Sequence, residues 1–81
     1  MKDMLDFLIG QQLKAKRISK GYSLEEVGKV LKTSKVTIYN YEEGIYSIRY
    51  KALMDLCGFL GLDYIEVLEN ARKEYYGHNE V

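Results

Sequence analysis

Two helix-start signals stand eleven positions apart in this chain, at Ser23 and Ser34, with room between them for one short helix and a tight turn. Ser23 is followed three residues later by Glu26, the pattern of a capping box. Leu24, Val27 and Leu31 repeat behind it at helical spacing, so the spacing predicts a helix that stops near Lys32. Ser34 then caps a helix that runs to about Glu43 and ends at Gly44. Only Lys32 and Thr33 separate the two, too little chain for an antiparallel hairpin. The helices must therefore cross at a steep angle. Gly28 sits mid-helix, where glycine costs about 1 kcal/mol relative to alanine; close approach of the following helix would offset that cost.

The flanking sequence predicts three further helices. One spans about Asp3 to Lys20, with Leu5, Leu8, Ile9, Leu13 and Ile18 as its apolar stripe and Gly21 as a left-handed stop. After a loop at 45–47, Ser47 is expected to start another, turning Ile48, Leu53, Leu56, Cys57 and Leu60 inward before Gly61. Asp63 with Glu66 reads as a second capping box, opening a last helix with Ile65 and Leu68 inward and a frayed tail after about Tyr76. No strand alternation persists. The expectation is an all-α, five-helix single domain over residues 1–81.

With 81 residues, 47% of them apolar and 30% charged, one folded core is expected rather than a disordered tail. Proline is absent, which suits a largely helical chain. The single cysteine, Cys57, points to a reducing compartment, and no apolar run approaches a membrane span, so a cytoplasmic protein is expected. Formal net charge is zero, but unevenly placed. Residues 11–51 hold nine basic groups against four acids, net +5, and residues 52–81 hold two against six, net −4. A basic body with an acidic end is compatible with DNA contact on one side.

On a wheel of about 100° per residue, Ser34, Ile38 and Tyr41 of the 34–43 helix face one way. Val36, Tyr39 and Asn40 face the other, with Lys35 at the edge. The second helix of so tight a pair can enter the major groove, its N-terminal part nearest the bases. Asn40 suits an adenine edge, Val36 a thymine methyl, Lys35 a guanine or a phosphate, and Tyr39 a phosphate or sugar. Ser23 and the amides behind it favour an anion. Tyr22, Tyr41 and Tyr64 fall where the helical pattern turns inward, so core packing explains them better than base stacking.

The stretch from Ile9 through Gly44, I-G-Q-Q-L-K-A-K-R-I-S-K-G-Y-S-L-E-E-V-G-K-V-L-K-T-S-K-V-T-I-Y-N-Y-E-E-G, resembles the Xre or Cro/repressor helix-turn-helix family. Matching positions are Leu13, Arg17, Gly21, Ser23, Val27, Gly28, Ser34, Ile38, Glu42 and Gly44. The segment Leu53–Leu68 is similar to the family's fourth and fifth helices. The resemblance implies a helix-turn-helix core at 23–43 and backbone contacts from Ser23, Leu24, Thr37, Tyr46, Ser47, Arg49 and Tyr50. It also implies a structural ion pair between Arg17 and Glu42. Three positions depart from the family: Leu24 replaces a Gln, Lys32 a turn Gly, and Tyr46 a Pro. A non-glycine residue in a left-handed turn costs about 1–2 kcal/mol, so the turn at Lys32 is expected to differ in detail.

Other classes fit less well. No metal set, phosphate loop or nucleophile–base pair can be assembled; His78, the only histidine, falls in the expected tail. No enzyme activity, cofactor, metal or membrane partner is expected. The expected partner is double-stranded DNA carrying a palindromic operator, bound by a homodimer through Leu68, Tyr75 or Tyr76, and the expected role is a phage, mobile-element or bacterial repressor. A protein-interaction module on the same fold, a DNA-binding antitoxin and a restriction–modification controller are the alternatives.

Overall fold

The computed structural model describes residues 3–79, with side chains through Gly77. They form five α-helices: α1 (Met4–Ser19), α2 (Leu24–Val30), α3 (Lys35–Glu42), α4 (Tyr50–Leu60) and α5 (Tyr64–Asn79). Among the described residues there is no strand, and no helix is long and apolar enough to cross a membrane.

From α1 through α3 the local signals that start helices act as the sequence predicts. Asp3 caps α1 by accepting from the Asp6 amide at 3.0 Å. Ser23 and Glu26 close a full capping box on α2, with bonds of 3.0 and 2.9 Å. Ser34 caps α3 through the Thr37 amide at 3.2 Å. Gly21, Gly44 and Gly61 carry the left-handed backbone that ends helices, with φ of 77°, 71° and 77°.

α1 lies at the centre, packed against α3, α4 and α5, while α2 packs on α3. The buried core joins Ile9 and Leu13 of α1, Val27 of α2, Ile38 of α3, Leu53, Leu56, Cys57 and Leu60 of α4, and Val67 and Ala71 of α5. Burying one such large aliphatic side chain contributes roughly 1.5–3 kcal/mol. Tyr22, Leu24, Leu31, Tyr41 and Tyr64 are partly buried against this cluster. Tyr22 stacks at a tilt on Phe59, with ring centroids 4.8 Å apart.

Several boundaries and faces differ from expectation. α4 begins at Tyr50 with Arg49 at its cap, not at Ser47. The Ser47 hydroxyl instead donates to the Asp6 carboxylate of α1, which leaves Ile48 half-buried in the loop. Asp63 accepts from the Ile65 amide at 3.0 Å, a simple cap in place of the expected box with Glu66. On α5, Val67 and Ala71 are the fully buried positions; Ile65 is 57% exposed and Leu68 39%. On α1, Leu5 and Ile18 are exposed and Leu8 half-buried, so the stripe narrows to Ile9 and Leu13. Ser34 is exposed, its hydroxyl engaged in capping. The last helix extends to Asn79; the side chain of His78 lies outside the described residues.

Candidate nucleic-acid interface

The turn between α2 and α3 is built from three residues with different tasks. Lys32 takes the left-handed conformation at φ 57°, a region that normally favours glycine. Thr33 donates its amide to the Gly28 carbonyl at 2.8 Å. A Cβ on Gly28 would sit 2.9 Å from the Thr33 carbonyl oxygen, so the glycine admits the turn at close range. The expected close approach is there.

A second small residue does the same for the other side of α3. A Cβ on Gly10 would overlap the backbone carbonyls of Tyr41 and Glu42, which lets α1 seat the C-terminal end of α3. Gln11 fixes the same place by donating to the Glu42 carbonyl at 2.9 Å. Gly10 was missed in the sequence, although a glycine inside an otherwise periodic helix was the available signal.

Glu42, 3% exposed, anchors α3 electrostatically. Arg17 Nε donates to its Oε2 at 2.7 Å and Nη2 to its Oε1 at 3.1 Å, while Nη1 reaches the Tyr22 carbonyl at 2.9 Å. Three of the guanidinium donors are thus satisfied on protein acceptors, the condition under which a buried pair holds. Lys14 adds a bridge to Glu43 at 3.1 Å.

Held in this way, α3 turns Ile38 inward and leaves Val36 59% and Tyr39 47% exposed. Lys35 is exposed and Asn40 half-buried. The Asn40 side-chain amide has no hydrogen-bond partner among the described residues, although its backbone carbonyl accepts from the Ile45 and Tyr46 amides at 2.9 and 3.2 Å. Beyond α3, Tyr46, Arg49 and Tyr50 stand exposed on the loop and the start of α4. Tyr46 packs edge-on to Tyr41 at 6.4 Å between centroids. The structure therefore brings the base-contact candidates together on one helix face and gathers Tyr46, Ser47, Arg49 and Tyr50 in the segment that follows. Thr37 is half-buried, its hydroxyl 3.1 Å from that of Ser34. Leu24 lies partly buried, leaving its backbone amide as the group it can offer outward.

The dimer candidates occupy another face. Leu68, Tyr75 and Tyr76 line a groove of about 250 Å³ between α1 and α5, together with Leu5, Ile9 and Arg72. The Arg72 guanidinium lies 5.4 Å from the centre of the Tyr76 ring. Among the described residues no cluster of three or more His, Cys, Asp or Glu can hold a metal ion.

Comparison with known proteins places this geometry. The Helix-turn-helix family model matches residues 13–67. A protein of Aeropyrum pernix, assigned by its description to the HTH-type transcriptional regulatory proteins, is 38% identical over 66 residues. The match takes in 78% of this chain but 20% of that protein, so the chain spans about a fifth of its relative's length. A crystal structure of the clp gene regulator ClgR from Corynebacterium glutamicum superposes with a TM-score of 0.78 at 25% identity, covering 90% of this chain and 95% of that one. A second crystal structure of ClgR gives 0.79 at 24% identity, over 91% and 79% of the two chains.

Proposed function

We propose, from the premise that the chain belongs to the Xre/Cro-repressor-type helix-turn-helix family of DNA-binding transcription regulators, that it reads a specific duplex sequence with α3 in the major groove and represses transcription there. The observation that carries this reading is the split character of α3. One side is locked by Ile38 and the Arg17–Glu42 pair, and the other presents the side chains of Lys35, Val36 and Tyr39, and in part that of Asn40, without a hydrogen-bond or ion-pair partner among the described residues.

In this reading Val36, Tyr39 and Asn40 face base edges, and Lys35 stands at their flank. Tyr46, Arg49 and Tyr50 grip phosphates beside the groove, with the Ser23 hydroxyl and Leu24 amide doing so at the start of α2; the Thr37 and Ser47 hydroxyls, engaged with Ser34 and Asp6, drop out of the backbone set. Such contacts set register and affinity, while the base-facing side chains set sequence choice. The active species is a homodimer joined through Leu68, Tyr75 and Tyr76, which would set two copies of α3 roughly 34–36 Å apart on a palindromic operator. Repression follows from occupancy of that stretch of DNA.

Selection of purified protein against a randomised duplex pool tests the proposal, followed by titration of the winner at two salt concentrations. A palindromic winner whose affinity falls steeply with salt is expected, because each neutralised phosphate releases counterions. Absence of enrichment, together with salt-insensitive behaviour, would replace this reading with that of a protein-interaction module.

A further inference from the structure

We infer that the half-site read by α3 is built on A·T pairs, a thymine methyl lying against Val36 and an adenine edge against Asn40 at most about two base-pair steps away. The inference rests on the major-groove reading above and specifies its ligand.

Most of the side chains of α3 are already engaged within the fold. Of its eight residues, Ile38 and Glu42 are buried, Tyr41 packs against the core, and Thr37 is tied to the Ser34 cap. Lys35, Val36, Tyr39 and Asn40 remain. At 3.6 residues per turn, Val36 and Asn40 each project about 160° from Ile38, on opposite sides of the outward normal. Val36 is 59% exposed and Asn40 half-buried, and neither side chain has a hydrogen-bond partner among the described residues. Lys35 leaves the helix only about 60° from Ile38, toward the flank where a groove wall carries phosphates.

The chemistry of that pair selects bases. Guanine is read chiefly by Arg or Lys paired to O6 and N7. α3 contains no arginine, and its one lysine sits on the flank. Val36 has only methyl groups to present, and it is more than half exposed with no side chain covering it. The apolar feature of a major groove is the thymine C5-methyl. Asn40 supplies the donor and acceptor that match adenine N6 and N7, and its amide has no competing partner among the described residues. Four residues of helix rise about 6 Å, against about 3.4 Å per base pair, so the two contacts lie at most about two steps apart.

The test uses the operator obtained by selection. Each thymine is replaced in turn by deoxyuridine, which removes the methyl and leaves base pairing intact. Binding of the full chain should weaken about fourfold at one position per half-site, the worth of one buried methyl group. Val36→Ala should abolish the difference between thymine and uracil at that position alone. Asn40→Ala should lower the preference for A·T at most about two steps away by tenfold or more. Uracil tolerated at every position, or selected half-sites centred on guanine, would overturn the inference while leaving DNA binding intact. Failure to select any duplex would overturn the DNA-binding reading itself, and this inference with it.

Discussion

Arg17, in the last turn of α1, holds both carboxylate oxygens of Glu42, in the last turn of α3, at 2.7 and 3.1 Å. The two side chains are only 11% and 4% exposed. This contact ties the candidate recognition helix to the central helix of the fold at the end remote from its capped N-terminus. Removing either partner leaves the other charge desolvated and unpaired. Glu42→Ala is therefore expected to lower unfolding stability by about 3–5 kcal/mol, and replacing both residues by apolar ones should recover much of the loss. Urea denaturation of the three variants checks this; a single-variant loss below about 1 kcal/mol would show that the pair does not hold α3 in place.

The turn at Lys32 makes the opposite prediction, a gain. Its left-handed backbone is strained by a Cβ, at a cost of about 1–2 kcal/mol, part of which glycine returns as extra freedom in the unfolded chain. Lys32→Gly should stabilise the protein by about 0.5–1 kcal/mol, and Lys32→Ala should not. Equal urea midpoints for the two variants would remove strain as the cause.

Three glycines at helical positions should respond to alanine in different ways. At Gly10 the new methyl would collide with the backbone of α3, and at Gly28 it would press on the turn. Near Gly58 nothing lies within 4 Å. Gly10→Ala should be the most damaging, Gly28→Ala less so, and Gly58→Ala should stabilise by about 0.5–1 kcal/mol through helix propensity alone. Thermal denaturation ranks them, and a benign Gly10→Ala would contradict the close α1–α3 approach.

Cys57 is fully buried in α4, and burial, with a lesser contribution from the charge of Asp63, pushes its thiol up from 9.0 to about 11. The folded state therefore holds the proton more tightly than the unfolded chain. The associated stability is complete below about pH 9 and is lost as pH rises through about 11. At pH 8.5 iodoacetamide should label the urea-unfolded chain readily and the native protein only as fast as it opens. Cys57→Ala should lose less stability than the parent between pH 9 and 11. Equal labelling rates, or superimposable alkaline profiles, would count against a buried protonated thiol.

Arg49 caps α4 without a side-chain hydrogen bond, is exposed, and has no acidic partner among the described residues. If it grips a phosphate, Arg49→Ala should weaken binding to all duplexes alike and reduce the salt slope by about one. Fold stability should stay within about 0.5 kcal/mol. An unchanged slope in a salt titration would remove Arg49 from the backbone set.

The amino-acid sequence by itself determined where helices begin and end over most of the chain, because those signals act within four residues. Ser23 with Glu26, Ser34, Gly21, Gly44 and Gly61 do their work through bonds and backbone angles that need no distant partner. The outward face of α3 was legible for the same reason: once its start was known, the helical period alone separated Val36 and Asn40 from Ile38. Only the tertiary structure decided what long-range contacts control. The apolar residues Ile65, Val67 and Leu68 spread over more than one face of α5, and packing against α1 selected Val67 and Ala71 for burial. Ser47 had the chemistry of a helix cap, but Asp6, 41 positions away, claimed its hydroxyl, so α4 began at Tyr50 instead. Gly10 gained its meaning from the backbone of Tyr41 and Glu42. A local pattern states which groups a segment can offer; which offers are taken depends on partners that only the folded chain brings within reach.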